Sequence, residues 1–215
     1  MDNIIAETSF SSGIKDTLKR MGNIIEVGSK NNEIRKMAVS AMAGSMPGSL
    51  KRDHAIMIFD YIRNLIRYVD DIDQIETLQD ALLTIHNGFG DCDDMTIALG
   101  SLLKAVGFPV GLVAVQMKEF NDYNHVYLVC YTSEGFIFFD ATNKTQPAGW
   151  QLPDIAITKR LIMLLMPSGY IDKNSILEIS SPVNTITYYE PGSFDYKRIA
   201  LAGAIVFIIF KLIKR

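Results

Sequence analysis

The sequence predicts an α+β fold, with N-terminal helices, then a central helix, then an antiparallel sheet. Three observations carry this reading. Apolar residues recur every three or four positions as far as residue 106. The period changes to two after Gly107-Phe108-Pro109. Helical and strand-like runs are segregated along the chain, which favours α+β over an alternating parallel arrangement.

In 1–50, Ile14, Leu18, Met21 and Ile25 fall near one helical face, and Ile34, Met37, Ala38 and Met42 near another. The stretch 43–50 (AGSMPGSL) holds two Gly, one Pro and two Ser and reads as a linker. Segment 52–68 is a stronger amphipathic helix. Ala55, Phe59, Ile62 and Ile66 are in step, and Ile58 and Leu65 widen the stripe. His54, in its first turn, is expected at the surface. Asp70, Asp71 and Asp73 read as a solvated turn, because the spaced glycine and terminal glutamate of a calcium loop are missing. Segment 77–85 reads as a short helix.

Asn87-Gly88-Phe89-Gly90 is a glycine-rich turn into a helix over 93–106. Met95, Ala98, Leu99, Leu102 and Val106 line one face of that helix, and Gly107-Phe108-Pro109 stops it. Segments 110–117, 125–131 and 136–140 read as strands, the last two joined through Thr132-Ser133-Glu134-Gly135. Segment 161–166 fits a strand or a helix, and 185–189 is strand-like. The expected organisation is a helical segment 1–50, a core 51–153, an extension 154–195 and a C-terminal hydrophobic helix 196–215.

At 215 residues, with 48% hydrophobic and 21% charged side chains, the chain can bury a core. A net charge of −3 supplies no basic face, so nucleic acid is not an expected partner. The start, MDNIIAETSFSS, is neither basic nor apolar and predicts no cleaved signal peptide. The run 199–213 (IALAGAIVFIIFKLI) has one charge, Lys211, between basic flanks Lys197, Arg198, Lys214 and Arg215. As a helix it spans about 22 Å, short of the roughly 30 Å of hydrocarbon. Snorkelling basic side chains extend that reach. The run is apolar on nearly all sides, so it reads as a membrane anchor of undecided orientation. The alternative is a buried terminal helix packing on a partner.

Cys92 stands where the central helix begins. A helix N-terminus stabilises a thiolate through unpaired N–H groups, and the Cys92 N–H could help bind an oxyanion. Asp91, Asp93 and Asp94 read as helix-capping carboxylates rather than metal ligands. The other thiol, Cys130, reads as core, and neither a metal nor a cofactor is expected. A histidine is needed to exchange protons with the thiol. His125 opens a strand whose neighbour ends in Asp140. If Thr132 faces Gly135, His125 is the diagonal neighbour of Asp140. If Tyr131 faces Glu134, the two are directly opposite. Either register puts them on one face, and a slip of one residue would part them. Trp150 either packs over this site or covers the sheet edge.

Three segments in order, GFGDCDDMTIALGSLLKAVGFPVGLVAV, NHVYLVCY and FIFFDAT, resemble the core of the transglutaminase-like superfamily. The preceding IFDYIRNLIRYVDDIDQIETLQD resembles the helix and loop before the cysteine in bacterial and bacteriophage members. The resemblance covers residues 56–150. It implies a papain-like core, with Cys92 as nucleophile, His125 as general base and acid, and Asp140 orienting the imidazole. It further implies acyl transfer through a thioester, on peptide or isopeptide amides. With the apolar tail, the expectation is a membrane-associated enzyme, phage-encoded or in a virion, with a cell-wall peptide as one candidate substrate. The alternative is an inactive fold used for virion or membrane assembly.

Overall fold

Local sequence accounts for most of the helical layer. The computed structural model describes residues 6–8, 13–43, 52–71, 76–132, 134–165, 176–180 and 185–189. A short strand β1 (Ala6–Thr8) precedes three helices. Helix α1 (Gly13–Gly28) buries Leu18, Met21, Ile24 and Ile25. Helix α2 (Asn32–Ala41) is capped by Asn31, whose side chain accepts from the Glu33 N–H, and it buries Ile34 and Ala38. Helix α3 (Arg52–Leu65) buries Ala55, Ile58, Phe59 and Ile62. Two expectations here fail. His54 is buried, at 7% exposure, because it sits one and two turns ahead of Ile58 and Ile62 on the inward stripe. Leu65 is exposed at 40%, because the chain leaves the helix there and enters strand β2 (Arg67–Tyr68).

The expected helix over 77–85 is displaced. Strand β3 (Glu76–Leu78) pairs antiparallel with β1, and helix α4 (Ala81–Asn87) follows. Asp80 fixes that start, since its side chain accepts from the Leu83 N–H at 2.9 Å. Gly88 closes α4 in the left-handed region (φ 71°), which glycine adopts without a Cβ clash. Strand β4 (Phe89–Gly90) then pairs parallel with β2, Tyr68 opposite Gly90.

Helix α5 (Cys92–Ala105) is the centre of the molecule. The sequence suggests one apolar face, yet every residue from Asp93 to Leu103 is buried. The cause is packing on two sides: α1, α2, α3 and α4 lie against it, and the sheet closes the rest. At Gly100 a Cβ would sit 2.8 Å from Ile25 Cδ1 and 3.2 Å from Leu128 Cδ1. A side chain there would force Ile25 and Leu128 to shift where α1, α5 and the sheet meet.

The sheet comprises β5 (Val110–Met117), β6 (His125–Thr132), β7 (Gly135–Phe139), β8 (Ile157–Leu165), β9 (Ile176–Ser180) and β10 (Thr185–Tyr189). Its order is β10-β9-β8-β5-β6-β7. Each neighbouring pair is antiparallel. The undecided run at 161–166 is strand as far as Leu165, its last described residue, and 185–189 is a strand too. Alternation divides the side chains. Leu112, Ala114, Val126, Leu128, Cys130 and Leu161 join the helices in the main core. Val113, Val115, Tyr127, Val129, Ile162 and Leu164 form a second cluster on the far face. The fold is therefore α+β, with a central helix on an antiparallel sheet. The expected C-terminal helix over 196–215 lies outside the described residues. Among the described residues no helix is long and apolar enough to cross a membrane.

Candidate active site

Cys92 is the first residue of α5. Asp91 caps the helix, accepting from the N–H groups of Asp93 at 3.0 Å and Asp94 at 3.1 Å. Asp94 answers by accepting from the Asp91 N–H, a reciprocal arrangement that satisfies donors at both ends of the turn. Asp94 also accepts from Gln79 N at 2.8 Å and Gln79 Nε2 at 2.6 Å. Burial nevertheless pushes its carboxyl up to about 6. Gly90 makes room for this network, because a Cβ there would lie 2.7 Å from Asp94 Cβ.

The Cys92 sulfur is partly buried and 3.5 Å from Asp93 Oδ1. A backbone hydrogen bond from Val126 ties it to the start of β6. Burial, then the charges of Asp93 and Asp91, push the thiol well above its ordinary range, and the Val126 contact only partly offsets them. These influences oppose the stabilisation that the N-terminus of α5 offers a thiolate.

His125 follows from strand register. Thr132 pairs with Gly135 and Leu128 with Phe139, which is the first of the two registers considered. His125 and Asp140 are therefore diagonal neighbours, and His125 Nε2 reaches Asp140 Oδ2 at 2.9 Å. Both side chains are mostly shielded, at 14% and 6% exposure. Burial alone would raise the Asp140 carboxyl, but His125 and Thr142 hold it below its ordinary value. Thr142 donates to Asp140 Oδ1 from its hydroxyl at 2.7 Å and its N–H at 3.2 Å. Sequence reasoning did not single out Thr142. Its signal is an acidic residue with a threonine two positions on, the pattern of a side-chain-capped turn.

The connection from β7 to β8 walls the site. Arg63 donates to the Gln146 carbonyl at 2.7 Å and Lys144 to the Ile66 carbonyl at 2.7 Å, pinning the connection to the end of α3. A cleft of about 350 Å³ is lined by Met117, His125, Asp140, Thr142, Trp150 and Leu152, among others. Trp150 therefore packs at the site. Cys92 meets β6 at Val126, on the helix side. Cys130 is fully buried in the main core, with its thiol pushed up by burial. His86 is exposed and pairs with Glu33 at 3.4 Å.

Residues 35–141 match the sequence profile of the transglutaminase-like superfamily. Solved structures are similar at low identity. A candidate cysteine protease of Cytophaga hutchinsonii is 21% identical with a TM-score of 0.44, covering 59% of this chain and 40% of that one. A candidate protease of Parabacteroides distasonis is 13% identical with a TM-score of 0.50, covering 84% of this chain and 32% of that one. LapG of Legionella pneumophila is 15% identical with a TM-score of 0.42, covering 81% and 88%. The chain spans less than half the length of the first two, and at these identities the likeness concerns the fold alone. No curated protein gives a significant match.

Proposed function

The chain belongs to the transglutaminase-like superfamily, and we propose that it is a thiol-dependent hydrolase or acyltransferase acting on peptide or isopeptide amide bonds. The observation that carries this is the His125–Asp140 contact at 2.9 Å, beside the residue whose backbone bonds the Cys92 sulfur. The raised thiol is neutral at rest, so the reaction begins with proton transfer. His125 accepts the Cys92 proton through its second ring nitrogen as sulfur attacks the amide carbon. Asp140 holds the imidazole and stabilises its protonated form. The carbonyl oxygen takes up the electron pair and is met by the Cys92 N–H. Collapse expels the amine, which receives the proton from His125, and leaves a thioester on Cys92. Water or a second amine, deprotonated by His125, then releases the acyl group.

The proposed setting is a membrane-associated, phage-encoded or virion protein with a cell-wall peptide among its candidate substrates. The apolar run 199–213 and the resemblance to bacteriophage members support it. A second reading, an inactive fold used in assembly, draws support from the same raised thiol. A thiol-directed active-site probe separates the two. The enzyme reading expects labelling of folded wild type that Cys92→Ala and His125→Ala both lose. Labelling that His125→Ala leaves unchanged, or none of folded wild type, favours assembly. Substrate profiling of wild type against Cys92→Ala then separates hydrolysis from transfer.

A further inference from the structure

The cleft beside His125 is suited to an apolar group, because its polar lining is engaged within the protein. Asp140 accepts from Thr142 and is bonded to His125. Asn143 Oδ1 accepts from the N–H groups of Thr145 at 3.1 Å and Gln146 at 3.2 Å. Lys144 donates to the carbonyls of Arg63 and Ile66. The surface offered to a ligand is chiefly that of Met117, Trp150 and Leu152. Each of these three is fixed through its backbone. The Met117 N–H donates at 2.9 Å to Asn124 Oδ1, the residue before His125. The Trp150 N–H donates to the Pro147 carbonyl at 3.1 Å, and the Leu152 carbonyl accepts from Arg160 at 3.4 Å. At about 350 Å³ the cleft lies at the small end of ligand sites, which run from about 300 to about 1,000 Å³. It suits one large side chain.

The position of the cleft selects one half of a substrate. When the acyl carbon bonds Cys92, the leaving amine takes its proton from His125, so the amine half lies toward the imidazole. The sulfur meets β6 at Val126, on the helix side, whereas the cleft adjoins His125 and Asp140. We propose that this cleft is the amine-side subsite, seating a large apolar side chain on the residue whose nitrogen is released or acylated. The assignment rests on the thiol-enzyme reading and adds a substrate class to it: amides whose amine component carries an aromatic or branched aliphatic side chain. One seat serves both directions. In transfer, the incoming nitrogen bonds the acyl carbon as the C–S bond breaks, and the amine proton passes through His125 to the sulfur. A large apolar side chain, partly buried against Trp150 and Leu152, should favour such an amine about tenfold over glycine.

Trp150, the chain's single tryptophan, reports directly on the cleft. The full chain carrying Cys92→Ala is titrated with phenylalanine amide, leucine amide and glycine amide while tryptophan fluorescence is followed. The first two should give a saturable change at concentrations about tenfold below any response to glycine amide. Leu152→Ser and Met117→Ser should each weaken it. No saturable change, or an equal response to glycine amide, overturns the proposal. A second measurement reads the reaction. Wild type is acylated with p-nitrophenyl acetate, and loss of the acetyl group from Cys92 is timed. Phenylalanine amide should speed that loss about tenfold over glycine amide at equal concentration, forming N-acetylphenylalanine amide, and Leu152→Ser should narrow the ratio. Equal acceleration by the two amines overturns the amine-side assignment. Failure of Cys92 to acylate would instead count against the thiol-enzyme reading, while the titration still decides whether the cleft takes the apolar side chain.

Discussion

Asp140 serves His125 only because its charge survives burial. Water is largely excluded from the carboxylate, which favours protonation, yet the imidazole and the two Thr142 donors favour the ionised form and prevail. Asp140→Asn should lower the rate of acylation by about 10²- to 10⁴-fold, read as single-turnover kinetics with folding unchanged. The sign for stability follows. Asp140 has its folded value depressed, so its contribution is present above the ordinary carboxylate range and is lost as pH falls through the folded value. The destabilisation caused by Thr142→Val should accordingly be largest near neutrality and shrink in acid, measured by denaturant midpoints. Cys92 shows the opposite balance, with burial and the Asp93 and Asp91 charges holding the thiol protonated. Asp93→Asn removes one of those charges, so the midpoint of iodoacetamide alkylation against pH should move to lower pH. A midpoint that stays or rises would refute the electrostatic account. Sequence spacing was enough to put His125 and Asp140 on one face. It was not enough for the thiol, whose state depends on burial and on where Asp93 points, both products of tertiary packing.

At the scale of elements, α5 depends on its first turn and on its closest contact. Asp91→Ala removes the cap from two N–H groups and should cost about 1 kcal/mol. Gly100→Val drives methyl groups into Ile25 and Leu128 and should cost about 1–3 kcal/mol or more. Urea titration checks both, with an unchanged slope as the sign of an intact fold. Asp94 adds a pH signature to the same turn. Its folded value is about 6 against an ordinary 3.8, so the native state binds the extra proton between them. Its contribution to stability therefore falls as pH rises from about 4 to about 6, and Asp94→Asn should flatten that slope. The elements legible from sequence were those with a local cause: the stripes of α1 and α3, the stop at Gly107, and the alternation in β6 and β7. The misread elements have distant causes. Glu76–Leu78 is a strand because residues 6–8 lie beside it. Segment 161–166 stayed ambiguous because β8 is buried on both faces, and such a run loses its period of two.

For the whole molecule, the candidate site exists only where two layers meet. Cys92 comes from the helical layer, His125 from a sheet strand, and Asp140 from the edge of the connection that Arg63 and Lys144 tie back to α3. If these parts formed separate cooperative units, the site could open without global unfolding. The packing argues otherwise, since one core cluster runs from Leu18 in α1 through Leu99 in α5 to Cys130 and Leu161 in the sheet. Two native reporters test this. Cys130 is fully buried between helices and sheet, and Trp150, the chain's single tryptophan, lines the cleft on the other side of His125. In a Cys92→Ala background, Cys130 becomes reactive to a disulfide reagent only when the layers part. Its reactivity and Trp150 fluorescence should change at the same denaturant concentration, as one cooperative transition requires. A Trp150 transition at lower denaturant would mean that the connection over the site opens first, as a local unit of lower stability. Arg63→Met, which removes the bond to Gln146, should then widen that gap. With the layers and connection acting as one unit, it should instead shift both transitions together.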